Sequence, residues 1–364
     1  MPRKSHICPN CGRSTDKIHD YRIQVIKDIP LRKKKMYFNL RKRRYKCSEC
    51  DKQFYENVPF VAKYYHVTKS LIYSVIQSFR ECRAMKGIAK EHNISVTSVA
   101  RYFDTVSFGK PKLPKYIAID EYGGNAGNEK FQSILTNPKK RKMLDLMPSR
   151  KSEDLAEYFN QFKDKNNVEL VVMDMSNLFR SVVKSSFPKA KIIADKYHVI
   201  WTVDFAFENV RKNEQNKFSK EYRKIFKRSK SLLRKRMDKL TPEEASEIAV
   251  MLNTSERLGK AYYLKEEFRK VFELKTRAEA ADALQEWLLK MHFENIEEFK
   301  SCDTTFLNWE DEILNIFEYG LINAYTEESN NKTKVLKRIS YGVKNKVYLC
   351  CKKYLNEIDI TCRN

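Results

Sequence analysis

Two groups of side chains in this 364-residue sequence have the types and spacing to do chemistry. The first is a pair of short motifs, Cys8-Pro-Asn-Cys11 and Cys47-Ser-Glu-Cys50. Each C-x-x-C knuckle can present two thiolates to one tetrahedral Zn²⁺, and two knuckles fill its coordination shell. The interval between them is longer than in a usual zinc ribbon, which predicts a β-hairpin extended by the basic residues it contains. Cys82, Cys302, Cys350, Cys351 and Cys362 lack partners at ligand spacing and read as packing residues.

The second group is acidic. The apolar runs YIAID and VELVVMD read as strands that stop on Asp120 and Asp174. Open α/β sheets bring ligands to the carboxyl ends of their strands, and a desolvated carboxylate is costly unless it is hydrogen-bonded or binds a cation. Capping competes with this reading, since Asp174, Ser176 or Asn177 could cap the following helix. Two strand-end aspartates facing one cleft instead favour a divalent ion between them, Mg²⁺ or Mn²⁺. A third acid is expected in residues 323–342. If that segment is helical, Glu327, Asn331, Lys334 and Arg338 fall on one stripe, a metal ligand followed by phosphate contacts, with Lys337 a further cation beside them. Ordinary pairing along a surface helix would give the same spacing. Asp195 is the runner-up for the second acid, and His198 reads as a supporting or packed residue at the end of the next strand.

The elements that must position these groups change character along the chain. Residues 1–60 form the cysteine module. Residues 61–108 read as helical, and MKGIAKEHNISVTSVARYFD has the pattern of a helix-turn-helix: Ile88 and Ala89 on one helix, a turn at residues 92–94, then Ser95 capping a helix with Val96, Val99, Ala100 and Phe103 inward. Its outward Ser95, Thr97, Ser98 and Arg101 could enter a major groove, although an ordinary helical hairpin shares the pattern. Prolines and a glycine at 109–115 mark a break. In residues 109–204 three strands (115–122, 129–137, 140–148), a helix at 152–162 capped by Ser152, a strand at 168–175, a helix from 177 to 186 and a strand at 190–200 predict a mixed α/β sheet. Residues 205–320 are helical in pattern, with capping boxes at Thr241 and Thr276. Residues 321–364 carry the candidate glutamate.

Charge points to a partner. Lys and Arg number 71 against 47 Asp and Glu, a formal +24, which favours a polyanion such as double-stranded DNA. Residues 32–46 hold nine cations and no acid, with Arg41, Lys42, Arg43 and Arg44 as candidate phosphate contacts and Tyr37, Phe38 and Tyr45 as an apolar underside. Residues 211–239 hold thirteen cations and three acids, a solvated face or a DNA-contacting one. No apolar run is long enough for a membrane span, and MPRKSH lacks the apolar stretch of a signal peptide. The expected compartment is the cytoplasm, and the cysteines are expected to bind metal or remain thiols.

Taken together, IDE (119–121), VVMDMS (171–176), IADKYHVI (193–200) and TEESNNKTKVLKRISYG (326–342) resemble the bacterial insertion-sequence transposases of the DDE type, in the ISL-type group (the third ISL family). The resemblance runs in the same order over nearly the whole chain. It implies an RNase H-like core with a helical insertion, preceded by a zinc-ribbon-like module and a helix-turn-helix. It further implies a Mg²⁺- or Mn²⁺-dependent triad of Asp120, Asp174 and Glu327, terminal inverted repeats and target DNA as substrates, a homodimer or larger assembly on DNA, and a bacterial, nucleoid-associated setting. Glu328 stands where the family usually has glycine and competes with Glu327. Gly123-Gly124-Asn125 follows Tyr122 where the family tends to be aromatic and basic, and Thr333 replaces a common apolar residue. A transposase-derived DNA-binding regulator without catalysis is the alternative.

Overall fold

The computed structural model describes residues 4–81, 83–105, 111–126, 129–147, 149–228 and 230–339. The chain divides into two compact units, Met1–Lys110 with Thr333–Asn364, and Pro111–Lys332.

In the first unit, β1 (His6–Ile7) pairs with β2 (Ser14–Thr15), while β3 (Ile18–Leu31), β4 (Lys34–Lys46) and β5 (Gln53–Tyr55) form an antiparallel sheet in that order. The long hairpin expected between the knuckles is therefore β3–β4. Its turn residues, Arg32 and Lys33, both have positive φ, the conformation that joins twisted strands over two residues. The aromatic underside is only partly as expected. Tyr45 is fully buried and stacks on Phe54, whereas Tyr37 and Phe38 stay substantially exposed because they lie toward the turn, beyond the reach of β5.

Three helices follow, α1 (Lys69–Gln77), α2 (Met85–Glu91) and α3 (Val96–Asp104). Leu71, Val75, Phe79, Ile88, Val99 and Phe103 share their core. Ser95 caps α3, its Oγ accepting from Ser98 N at 3.1 Å. Val96, expected inward, is exposed. It opens the helix, and the buried face falls on Val99, Tyr102 and Phe103 one turn on.

The second unit is built on a five-stranded sheet of β6 (Tyr116–Ala126), β7 (Glu129–Asn137), β8 (Lys142–Met147), β9 (Leu170–Met173) and β10 (Lys191–Ala194). Their order is β10-β9-β6-β7-β8. β10, β9 and β6 are mutually parallel, β7 is antiparallel to β6, and β8 is antiparallel to β7. The β9 run LVVM is buried throughout, as a parallel strand covered on both faces requires. Helices α4 (Ser152–Asn160) and α5 (Asn177–Ser186) connect the strands. Ser152 is the first residue of α4 rather than its cap. The capping position falls on Lys151, whose N–H is taken by Ser149 Oγ at 3.0 Å. The strand expected over 190–200 ends at Ala194, because Asp195 caps a helix that begins at Lys196 and carries His198 in its first turn.

That helix, α6 (Lys196–Lys217), leads into α7 (Lys220–Arg228), α8 (Lys230–Arg234), α9 (Pro242–Asn253), α10 (Glu256–Val271), α11 (Arg277–Glu294), α12 (Lys300–Asn308) and α13 (Glu310–Tyr319). Both expected capping boxes are formed, at Thr241 with Glu244 and at Thr276 with Glu279. The helical block shares one hydrophobic core with the sheet, from Ile117 and Val171 through Phe207 and Phe268 to Ile313. Arg180 on α5 adds a two-pronged pair to Glu312 on α13, at 2.8 and 2.5 Å, and stacks on Trp309. Gly320, at φ +62°, ends α13 in the left-handed turn glycine favours. The last helix described is α14 (Ala324–Ile339).

Candidate functional site

The strand register lines the acids up: β9 and β10 end just before Asp174 and Asp195, whereas β6, expected to stop on Asp120, pairs on with β7 as far as Ala126 and carries Asp120 inside the strand. Ile119 on β6 pairs with Met173 on β9, and Met173 pairs with Ala194 on β10. The next residue in each case is an aspartate, so Asp120, Asp174 and Asp195 form one row across three adjacent parallel strands. Strand spacing puts neighbours in such a row about 5 Å apart. The sequence pairs Asp120 with Asp174 and makes Asp195 only the runner-up for the second acid. The structure brings all three together, because strand β10 stops one residue before Asp195.

Their surroundings differ. Asp195 is buried and fully engaged: Oδ1 accepts from Tyr197 N at 3.2 Å, while Oδ2 accepts from His198 Nδ1 at 2.9 Å and Asn323 Nδ2 at 3.4 Å. Asp120 is buried, with Oδ1 accepting from Glu121 N at 2.7 Å and Oδ2 from Asn330 Nδ2 at 2.8 Å. Asp174 is not the helix cap. Ser176 fills that role for α5, and Asp174 Oδ1 is buried with no hydrogen-bond partner among the described residues. Burial, reinforced by repulsion from Asp174 and Asp195, pushes Asp120 up to about 7 against the pull of Glu121 N–H and His198. Burial, with repulsion from Glu121 and Asp195, raises Asp174 to about 6. The hydrogen bond to Asp195 raises His198, whose positive form the nearby acids favour.

Helix α14 supplies the fourth acid. Glu327 is half-buried and raised by burial first and by Asp195 next, so Asp195 is the member of the row whose charge acts on it most. Glu328 faces elsewhere. Lys332 at 2.5 Å and Arg141 at 3.0 Å hold it in surface ion pairs that lower its pKa. The inward stripe of α14 runs through Thr326, Glu327 and Asn330, with Thr326 Oγ1 bonded to Thr136 Oγ1 on β7 at 2.7 Å. Asn331 and Lys334, expected on the stripe with Glu327, are exposed, and the side chains of Lys337 and Arg338 lie outside the described residues. The involvement of Asn323 and Asn330 escaped sequence reading.

In the first unit, the four cysteine sulfurs lie within 4.8 Å of one another, with Cys8 to Cys50 at 3.6 Å and Cys11 to Cys47 at 3.5 Å. A tetrahedron with Zn–S bonds of about 2.3 Å has edges of about 3.8 Å. Each knuckle turns alike: Gly12 N and Asp51 N, both at positive φ, donate to the carbonyls of Cys8 and Cys47. The N–H of Lys52 and the side chain of Asn10 hold the Cys50 thiol down at about 6. The donors therefore fit a zinc ion. Among the described residues no carboxylate group closes to comparable distances.

The candidate cations of the hairpin are unequal. Arg44 is clamped by Asp20 at 3.0 and 2.7 Å, and Arg43 by Glu56. Lys42 lies over Tyr55, and exposed Arg41 stacks 4.0 Å above Tyr21. Ser95, Thr97 and Arg101 are exposed and Ser98 is half-buried. Lys27, Tyr37, Tyr64, Ser95, Ser98 and Arg101 line part of a cleft of about 440 Å³ between hairpin and helices.

Residues 117–352 match the family model of ISL3 transposases, described as "Transposase". The chain belongs to the ISL3 transposase family. In this ISL3-family chain, residues 4–50, which contain both knuckles, also match the "zinc-finger of transposase IS204/IS1001/IS1096/IS1165". The chain is 22% identical over 359 residues to the transposase for insertion sequence element IS1001 of Bordetella parapertussis, covering 96% of this chain and 88% of that relative. A transposase for insertion sequence element IS1557 of Mycobacterium tuberculosis is 22% identical over 254 residues, covering 63% of this chain and 57% of the relative. No helix among the described residues is long and apolar enough to cross a membrane.

Proposed function

We propose that this transposase binds the terminal inverted repeats of its element and cuts and joins DNA strands at the carboxylate site, with Asp120, Asp174 and Glu327 as the acids of the reaction. The observation that carries this reading is the aspartate row, in which buried Asp174 Oδ1 has no partner and two carboxyls are raised to about 7 and about 6. A row of acids in that condition fits hard divalent cations, which relieve the repulsion and take the free oxygen. The strand order, with three mutually parallel strands extended on one side by β7, antiparallel to β6, and then β8, antiparallel to β7, supports an RNase H-like core.

When bound there, Mg²⁺ or Mn²⁺ would supply Lewis-acid stabilisation of the attacking and leaving oxygens of an in-line phosphodiester displacement. The chain's part is to place the acids. Strand register sets Asp120 beside Asp174, and α14 adds Glu327. Asp195, with both oxygens already taken, holds His198 and the start of α6. His198 Nδ1 stays on Asp195, and the cationic form of the ring offsets the acids before metal arrives. In the first unit, the β3–β4 hairpin and the helix-turn-helix of α2 and α3 would hold the element ends, with Arg41 and Lys42 on phosphates and the exposed residues of α3 toward base edges. Joining needs two ends at once, so the acting form is a homodimer or larger assembly on DNA.

Purified protein with Mg²⁺ and labelled inverted-repeat DNA is expected to give cut and joined products. Asp120→Ala, Asp174→Ala and Glu327→Ala should each lower cutting by on the order of 10³-fold or more while sparing binding. Cutting that survives one of these changes removes that residue from the triad. Binding without cutting by the unaltered protein would leave a DNA-binding regulator.

A further inference from the structure

Asn323 and Asn330 are among the buried polar side chains that the reaction above does not use, and they are 1% and 6% exposed. They stand seven residues apart at the start and middle of α14, two turns that bring both onto the face bearing Thr326 and Glu327. Asn323 also starts the helix, its carbonyl accepting from Thr326 N at 2.8 Å and Glu327 N at 3.2 Å. Each side chain donates from Nδ2 to a different member of the aspartate row, Asn330 to Asp120 Oδ2 at 2.8 Å and Asn323 to Asp195 Oδ2 at 3.4 Å. Each leaves its carboxamide oxygen buried with no partner among the described residues, as Asp174 Oδ1 is. Three acceptors without donors thus belong to the groups gathered around one row of acids.

The residue type is informative. Lysine or arginine at these positions would pair with the aspartates, cancel their charge and occupy the oxygens that a cation needs. An amide holds a carboxylate in place and leaves its charge intact. It also presents an acceptor, which a buried site satisfies only when a donor enters. Mg²⁺ keeps several of its waters when it binds carboxylates, and those waters are donors.

We propose that Asn330, with Asn323 beside it, is a positioning residue for a hydrated divalent cation: Nδ2 fixes the aspartate, and Oδ1 accepts from water of the ion's hydration shell. This deepens the proposed function and rests on it. Groups that orient metal-binding side chains typically contribute 10- to 100-fold in affinity.

The test uses the full-length protein. Mn²⁺ is titrated calorimetrically without DNA, and cutting of inverted-repeat DNA is then followed against Mn²⁺ concentration. Asn330→Ala is expected to weaken Mn²⁺ binding about tenfold or more and to raise the Mn²⁺ needed for half-maximal cutting by a similar factor. Asn330→Ser, which restores a small donor and acceptor, should recover part of the loss. Binding to the repeat should not change in either variant. If Asn330→Ala does not fold, Asn330→Ser and Asn323→Ser carry the comparison. Folded variants with unaltered Mn²⁺ affinity overturn the proposal, whatever their thermal stability, because a purely structural asparagine would lower melting temperature alone. An unaltered protein that neither binds Mn²⁺ nor cuts refutes the proposed function, and the asparagine role with it. If it does both and the variants match it, only the asparagine role is lost.

Discussion

The cysteine centre and the carboxylate row are opposite solutions to gathering like groups. The cysteines come from two short turns joined by one hairpin, and their sulfurs already stand at the edge lengths of a single tetrahedron. The carboxylates come from the ends of two strands, the middle of a third and a distant helix. They are buried or half-buried and mutually repelling, one of them keeps an unbonded oxygen, and they do not close on one point. A closed donor set suits a structural ion that remains bound, whereas an open row suits ions that share their shell with a substrate. The difference shows where stability is built in and where it is given up: an unpartnered oxygen and raised carboxyls weaken the fold in the place where chemistry is proposed.

Removing the metal should break this contrast most visibly. Structural zinc in small modules contributes about 10–16 kcal/mol of apparent folding free energy. Chelation, or Cys8→Ser, is therefore expected to abolish cooperative unfolding of the N-terminal unit and binding to the inverted repeat, as followed by circular dichroism and gel shift. Retention of both would mean that the hairpin folds without the ion.

A smaller effect lies in pH. Carboxyls of an unfolded chain titrate near about 4, whereas folded Asp120 and Asp174 titrate at about 7 and about 6. Between those limits the folded state holds more protons, so their contribution makes stability fall as pH rises from about 4 to 7. His198, raised by Asp195, has the same sign, since the stability it adds is lost as pH rises through its folded pKa. Metal-free protein should thus lose on the order of a few kcal/mol from these groups between pH 5 and 8, and Mn²⁺ at pH 8 should restore it by mass action. Melting temperatures of the unaltered protein and Asp120→Asn, compared at both pH values in chelator, isolate the contribution. Parallel pH slopes for the two proteins would contradict it.

The smallest effect concerns the hairpin. Arg41→Ala should weaken binding to the repeat several-fold and lower the salt slope by about 1, as for a lost phosphate contact. Arg44→Ala, which leaves Asp20 only its longer pair with Arg22 at 3.4 Å, should cost up to about 1 kcal/mol of stability and change the slope less. Equal slopes would remove the distinction between a free cation and a clamped one.

Much of this arrangement was legible in the sequence where patterns are strong. The C-x-x-C spacing, the Ser95 cap, the two capping boxes and the apolar runs before Asp120 and Asp174 each have one dominant local reading as elements, although helix capping competed for Asp174 until Ser176 took that place and β6 runs on past Asp120. Asp195 was harder, because KIIADKYHVI stays largely apolar through a change from strand to helix, and only the capping bond to Tyr197 N marks the boundary. Helix α14 hid its inner face for a different reason. TEESNNKTK is polar all round, so spacing alone does not distinguish the stripe of Glu327, Asn331 and Lys334 from that of Thr326, Glu327 and Asn330. The choice is made by hydroxyls and amides docking on the sheet, such as the Thr136–Thr326 contact, and these leave no hydrophobic period to read.

The place of α14 in the chain has a consequence for biosynthesis. Translation at about 5–20 residues per second delivers Glu327 roughly 10–40 s after Asp120. Throughout that interval the nascent polypeptide carries the knuckles and hairpin and then the three aspartates, but neither the glutamate nor the amides that steady the row. On the proposed reading a growing chain acquires its means of holding DNA before its means of breaking it, and a frameshift within the helical block would freeze it in that earlier condition.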